Sequence, residues 1–244
     1  MLAGIWGSVT TPCPLCEARS PAGRVCGACE GDLLRVLPEG HRRCVQCALI
    51  LAQDDTCPDC RFLRPAFDRV VAAFDYGFPG DLLIHGLKSQ LRFTHAPALA
   101  RLIVQAVQAQ RLVLAPPFIV LPVPAAPSAL RHRGFNPAAE IARPLARWLG
   151  GDYRTGWLQR HQGARRQKRL GRADRAREAA SLYYCGRRLD GCHVVLVDDV
   201  MTTGSTLHGA ALAVRAAGAV SVNGLVAART PLLDGDRQPG PATS

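Results

Sequence analysis

One stretch limits what this chain can fold into more than any other: residues 194–206, Val-Val-Leu-Val-Asp-Asp-Val-Met-Thr-Thr-Gly-Ser-Thr. The unbroken apolar run Val194–Val197, mostly β-branched, suits a strand covered on both faces, as in a parallel sheet. After a short hydroxyl-rich loop, Leu207–Ala217 has the apolar spacing of a helix, and Ala219–Ala227 reads as the next strand. Together 194–227 form one βαβ unit, which makes the fold class α/β. Open α/β sheets hold their ligands beyond the carboxyl ends of the strands. Asp198 and Asp199 stand at such an end. Thr202–Thr206 stand at a helix amino end, where free N–H groups and the helix dipole favour a phosphate.

That chemistry matches a ribose 5-phosphate. Thr202, Thr203, Ser205 and Thr206 offer hydroxyl donors, and Gly204, lacking a Cβ, lets the backbone come close. Asp198 and Asp199 can accept hydrogen bonds from the sugar 2- and 3-hydroxyls. The plainer reading is a buried strand running into an N-capped helix, which has little need for two adjacent acids. Residues 194–206 resemble, at every position, the phosphoribosyl-pyrophosphate (PRPP) motif of type I phosphoribosyltransferases. The resemblance implies that Asp198, Asp199, Met201, Thr202, Thr203, Gly204, Ser205 and Thr206 bind PRPP with Mg²⁺. It also implies a phosphoribosyltransferase-like parallel sheet flanked by helices.

Eight of the ten cysteines form four Cys-x-x-Cys pairs: Cys13/Cys16, Cys26/Cys29, Cys44/Cys47 and Cys57/Cys60. The interval from Cys13 to Cys26 equals that from Cys44 to Cys57, so the unit is duplicated. One such pair gives two thiolates to a tetrahedral zinc, and two pairs complete a four-sulfur structural site. The expectation is a double zinc ribbon over 12–61 with two Zn²⁺ ions. Pairing is read as sequential, with a cross-braced arrangement as the alternative. Disulfides suit an oxidising compartment, and iron–sulfur spacings usually differ. Segments this short bury too little apolar surface to fold alone, so the metal must hold them together. A chelator is therefore expected to melt 12–61 while the remainder stays folded. Five arginines against seven acids within 13–60 favour bracing or protein docking over a grip on DNA.

A chain of 244 residues has room for one sizeable domain, expected over 66–230, beside that ribbon. Residues 231–244, rich in Pro, Gly and Asp, read as a disordered tail. No apolar run approaches the ~18 residues of a membrane span. Met1–Pro12 lacks the basic and apolar parts of a secretory signal, so a cytoplasmic location is expected. Net charge is +11, and all but Lys88 and Lys168 of the 30 basic residues are arginine. That excess suits phosphorylated ligands or nucleic acid.

Between ribbon and loop, Phe67–Phe74 and Phe118–Val123 read as strands. Pro79–Ser89, a helix from Thr94 to about Gln110, and Pro137–Leu149 read as helices, the last to be kinked or split by Pro144. Arg131 and Arg133, just past a proline-stiffened turn at a strand end, could clamp a pyrophosphate, or simply be solvated. Lys88 closes its helix as a favourable C-terminal cation. Residues 160–177 carry eight bases against Asp174 alone. They read as a basic lid over pyrophosphate, with Lys168 within it, or as a nucleic-acid contact.

The whole order, from about Cys13 to Arg229, resembles the ComF family, a double zinc ribbon followed by a phosphoribosyltransferase-like domain. Besides the motif and cysteines, the resemblance rests on four stretches. They are His85-Gly86-Leu87-Lys88, Leu121-Pro122-Val123-Pro124, Arg131-His132-Arg133-Gly134-Phe135-Asn136, and Gln167 with its flanking bases. One departure is Arg177–Leu182, where the family often carries an Asn and this chain has none. The resemblance implies PRPP and an unidentified acceptor as ligands, with Lys88, Arg131, Arg133 and Lys168 as pyrophosphate candidates. It further implies a cytoplasmic role in natural competence, with single-stranded DNA or a DNA-processing protein as partner.

Overall fold

The computed structural model describes residues 10–21, 23–34, 42–51, 56–161 and 181–231. Two copies of one small unit come first. In the first, β1 (Thr10–Pro12) and β2 (Arg19–Pro21) pair antiparallel around Cys13 and Cys16, and α1 (Gly27–Leu33) starts at Cys26. In the second, β3 (Arg42–Arg43) and β4 (Ile50–Leu51) pair around Cys44 and Cys47, and α2 (Pro58–Leu63) starts at Cys57. The same turn recurs bond for bond. Cys13 and Cys44 donate to Ala18 and Leu49 at 2.7 Å, and Glu17 and Ala48 donate to Cys13 and Cys44 at 2.9 Å. Glu17 and Ala48 both take left-handed backbone angles, φ 62° and 59°.

The larger unit is a five-stranded parallel sheet. Its strands in chain order are β5 (Arg69–Asp75), β6 (Phe118–Pro122), β7 (Asp152–Tyr153), β10 (His193–Met201) and β11 (Ser221–Arg229). In space the order is β5-β11-β10-β6-β7, with every pairing parallel. Between β7 and β10 in the chain, β8 (Leu158–Arg160) and β9 (Tyr183–Cys185) form an antiparallel pair. The pleat sends alternate residues to opposite faces. Val195 and Val197 join one core with helices α3 (Gly80–Ser89), α4 (His95–Ala109) and α6 (Pro137–Leu149). Val194 and Leu196 join the other, with α7 (Ser205–Ala216), β8 and β9. Both faces are covered, which is why Val194–Val197 could be continuously apolar.

Pro144 does not split α6, which runs from Pro137 to Leu149. Ile141, Ala142, Leu145 and Ala146 are all fully buried against the sheet and α4. Burial of that stripe outweighs the ~3 kcal/mol a proline costs inside a helix. A short helix, α5 (Pro127–Arg133), follows β6 where the sequence pointed to a proline-stiffened turn. Proline at its first position needs no N–H partner there, so it starts a helix as readily as a turn.

The ribbons are not free-standing. Cys13, Val25 and Leu33 lie in one core with Phe74, Leu83 and Leu99, while Leu49 and Ala48 lie in the other with Phe67, Val70 and Met201. Val70 of edge strand β5 donates to Gln46 at 2.8 Å, so the second ribbon also caps that edge.

Gly86, midway along α3, exists for space. A Cβ there would stand 2.3 Å from the His95 ring, whose Nδ1 shares a hydrogen bond with the Leu83 carbonyl at 3.0 Å. Gly86→Ala is expected to destabilise the chain by about 1–3 kcal/mol through overpacking. Thermal melting reads this, and an unchanged midpoint would mean the ring moves aside freely.

Candidate functional site

β10 is longer than its apolar run, and Asp198 and Asp199 fall in its last turns of pleat, both half-buried. Alternation carries Asp199 to the α3 side, where Lys88 Nζ meets its Oδ1 at 2.7 Å. The Asp199 amide donates to Asp198 Oδ1 at 2.9 Å. Loss of solvent, and next the neighbouring Asp199 charge, push the Asp198 carboxyl from 3.8 up to about 8. The Asp199 amide and Lys88 oppose that rise without cancelling it. Two adjacent acids thus stand at the strand end with Lys88 paired to one oxygen of Asp199, which leaves the pair capacity for hydroxyl donors or a hard cation.

Beyond the acids the chain turns sharply. Met201 is buried, Thr202 is exposed, and Thr203 and Thr206 are half-buried. Gly204 precedes α7 with φ 78°, a left-handed angle that suits glycine. A Cβ at that position would also stand 2.6 Å from Met201 Cε. Thr203 Oγ1 and Ser205 Oγ share a hydrogen bond at 2.5 Å. The first bond of the helix is His208 to Gly204 at 2.8 Å. Among the described residues, the amides of Thr202, Thr203, Gly204, Thr206 and Leu207 find no acceptor. Unpaired amides at a helix start, next to a left-handed glycine, form an anion-binding concavity.

The other candidates are placed unevenly. The structure brings Lys88 to the acids. Arg131 and Arg133 sit in the last turn of α5, exposed and half-buried respectively. Their helix leaves the same sheet edge, because Pro122 pairs with Val197 and the Val123 amide donates to Val197 at 2.9 Å. Lys168, Gln167 and most of the basic stretch lie outside the described residues, as does the tail from 232. Arg160 lies in β8, which pairs with β9 beyond that stretch.

The cysteines separate into two sets, Cys13, Cys16, Cys26, Cys29 and Cys44, Cys47, Cys57, Cys60. Within each set every sulfur lies within 4.8 Å of every other. Contacts of 3.5 Å (Cys16–Cys26), 3.4 Å (Cys47–Cys57) and 3.7 Å (Cys44–Cys60) are near the ~3.8 Å edge of a tetrahedron with 2.3 Å zinc–sulfur bonds. Both sets fit a structural zinc, and the pairing is sequential, not cross-braced.

Sequence reasoning missed Arg229, the last residue of β11. It is almost fully buried and touches the second cysteine set and the loop at once. The available signal was a charged residue closing the apolar run Leu225–Ala228.

No helix among the described residues is long and apolar enough to cross a membrane. No family model matches the chain. Relatives are nonetheless clear. The chain is 34% identical over 186 residues to the DNA utilization protein YhgH of Salmonella typhimurium, covering 75% of this chain and 80% of that one. It is 31% identical over 200 residues to the protein of that name in Escherichia coli K12, covering 80% and 86%. It is 32% identical over 157 residues to Competence protein F of Haemophilus influenzae, covering 62% and 69%. With two four-cysteine sites ahead of a parallel α/β sheet and relatives of this kind along most of its length, the chain belongs to the ComF family.

Proposed function

We propose that the chain binds PRPP where β10 gives way to α7 and transfers its ribosyl 5-phosphate to an acceptor, with the 66–230 unit as the enzyme and the 12–61 unit as its brace. The observation that supports this reading most is the set of amides of Thr202, Thr203, Gly204, Thr206 and Leu207, unpaired among the described residues, beside two half-buried acids. In this reading the amides and hydroxyls of 202–206 hold the 5-phosphate, and Asp198 and Asp199 accept from the ribose hydroxyls. Mg²⁺ would neutralise the pyrophosphate leaving group, and Asp198 and Asp199 are the hard oxygen donors that suit such an ion. Lys88 leaves Asp199 for the pyrophosphate side as the ligand enters, and Arg131, Arg133 and Lys168 are further cations for that group. Displacement at the ribose C1 through an oxocarbenium-like transition state needs no side-chain nucleophile. Position, cationic stabilisation and exclusion of water do the work.

A second reading has an observation of its own. The relatives are named for DNA utilization and competence, and the chain carries a net +11 with eight bases in 160–177. On this reading the chain is a cytoplasmic DNA-handling or regulatory module in which PRPP is sensed but not consumed. One set of measurements separates the two. Calorimetry with PRPP and Mg²⁺ is expected to show one site per chain, and a pyrophosphate-release assay with candidate acceptors then reports turnover. Binding without release, with single-stranded DNA affinity that falls steeply with salt, favours the second reading. No heat with PRPP sinks both versions of the site.

A further inference from the structure

The phosphate turn does not hold its shape alone. Arg229 ends β11 directly beside Met201 of β10, with which it is paired in register. Its guanidinium reaches in two directions. On one side Nη1 donates to the Met201 carbonyl at 3.3 Å, to the Thr202 carbonyl, and to the Thr230 carbonyl at 2.8 Å. On the other, Nε donates to the Cys47 carbonyl at 3.2 Å and Nη2 to Asp59 Oδ2 at 2.5 Å. Cys47 is a ligand of the second cysteine set, and Asp59 lies between its ligands Cys57 and Cys60. The side chain is 1% exposed and Asp59 is 7% exposed, so this contact is out of solvent.

The consequence follows from peptide geometry. In a trans peptide the carbonyl of one residue and the N–H of the next point opposite ways. Holding the Met201 carbonyl inward turns the Thr202 amide outward. Holding the Thr202 carbonyl inward turns the Thr203 amide outward. Those are two of the amides left without an acceptor. The Thr230 amide adds a second tie to the Met201 carbonyl at 2.9 Å.

We propose that Arg229 is a positioning residue that sets the anion-binding orientation of the 202–203 amides, and that zinc at the second cysteine set holds Arg229 in place to do so. The ligand identity rests on the PRPP reading above, whereas the mechanical link does not. Metal at Cys44, Cys47, Cys57 and Cys60 fixes the Cys47 carbonyl and the Asp59 carboxylate, and these anchor the guanidinium. Without the metal both anchors are released, Arg229 can turn away, and the two peptides are free to flip. Among the described residues, the first cysteine set has no comparable tie. It packs on α3 and α4, and Glu30 accepts from Gln105 at 2.6 Å.

The test uses the full chain and three readouts: bound zinc, PRPP affinity with Mg²⁺ by calorimetry, and hydrogen exchange of His208 and Thr230. Those two amides rest on the Gly204 and Met201 carbonyls, so their protection reports the turn without any ligand. Arg229→Lys keeps a cation for Asp59 but lacks the fork that reaches the carbonyls. It is expected to retain two zinc ions, lose protection at Thr230, and bind PRPP about tenfold or more weakly, as supporting residues around a site typically do. Cys60→Ser is expected to lose one zinc and reproduce that loss, and Cys29→Ser to affect the turn less. Asp59→Asn serves if Arg229→Lys fails to fold, with the same expected losses in affinity and protection. Equal effects of Cys60→Ser and Cys29→Ser, or full protection and affinity in Arg229→Lys, would overturn the link. If the unmodified protein shows no PRPP heat, the PRPP reading falls and the exchange data still decide whether zinc supports the turn.

Discussion

Asp198→Asn combined with Asp199→Asn is expected to abolish PRPP binding while both zinc ions stay bound. A hydrogen bond contributes about 0.5–1.5 kcal/mol to a neutral acceptor, as the protonated Asp198 is, and about 1.5–3 kcal/mol to a charged one. Losing one of each removes roughly 2–4.5 kcal/mol, a ~30-fold or greater fall in affinity. Calorimetry reads the affinity, and metal analysis of the same sample reads the zinc. Unchanged affinity would refute the assignment of these acids. The single variant Asp198→Asn has a further signature. The Asp198 carboxyl is raised from 3.8 to about 8, because desolvation and then Asp199 oppose its charge. Between those values the folded chain keeps a proton that the unfolded chain has released. Stability from this group is therefore present at low pH and lost as pH rises through that window. Asn, which carries no charge to desolvate, should raise the melting midpoint at pH 8 and flatten its pH dependence. A lower midpoint at pH 8 would mean the carboxylate supports the fold instead of a ligand.

The second large effect concerns metal removal. The sequence alone led to the expectation that a chelator melts 12–61 and spares the rest. The shared cores change that expectation. Val25 and Leu33 of the first ribbon and Leu49 of the second are buried among residues of the sheet and its helices. Their exposure removes about 2 kcal/mol each, or ~6 kcal/mol together. For a chain of this size that lowers the melting midpoint by ~10 °C or more. Stripped protein should therefore melt earlier as a whole, followed by circular dichroism of the helices, and zinc should restore it. An unchanged late transition after complete zinc loss would show that the ribbons pack only loosely.

Much of this could be read from short windows of sequence. The apolar run of 194–197 announced a strand covered on both faces, because its pattern depends on burial alone. Helix α6 appeared with the ends Pro137 and Leu149 that its proline start and glycine stop imply. The four Cys-x-x-Cys knuckles announced two tetrahedral sites, since their local turn is enough to aim two thiolates together. Boundaries were less legible. β10 extends four residues past Val197, because hydrogen bonding to β11 continues after the apolar pattern ends.

Sequence by itself determined the α/β class, the two four-cysteine sets that fit zinc, and the acid-and-hydroxyl turn. Each depends on residue type and on spacing along a few turns of chain. Only the tertiary structure decided that the zinc pairing is sequential, because equal intervals allow either pairing. It alone placed Lys88 on Asp199 and put Arg229 against Asp59, 170 residues away in the chain. Such contacts arise from which faces meet once strands cross over and helices stack, and periodicity in one segment carries no record of the segment that will cover it.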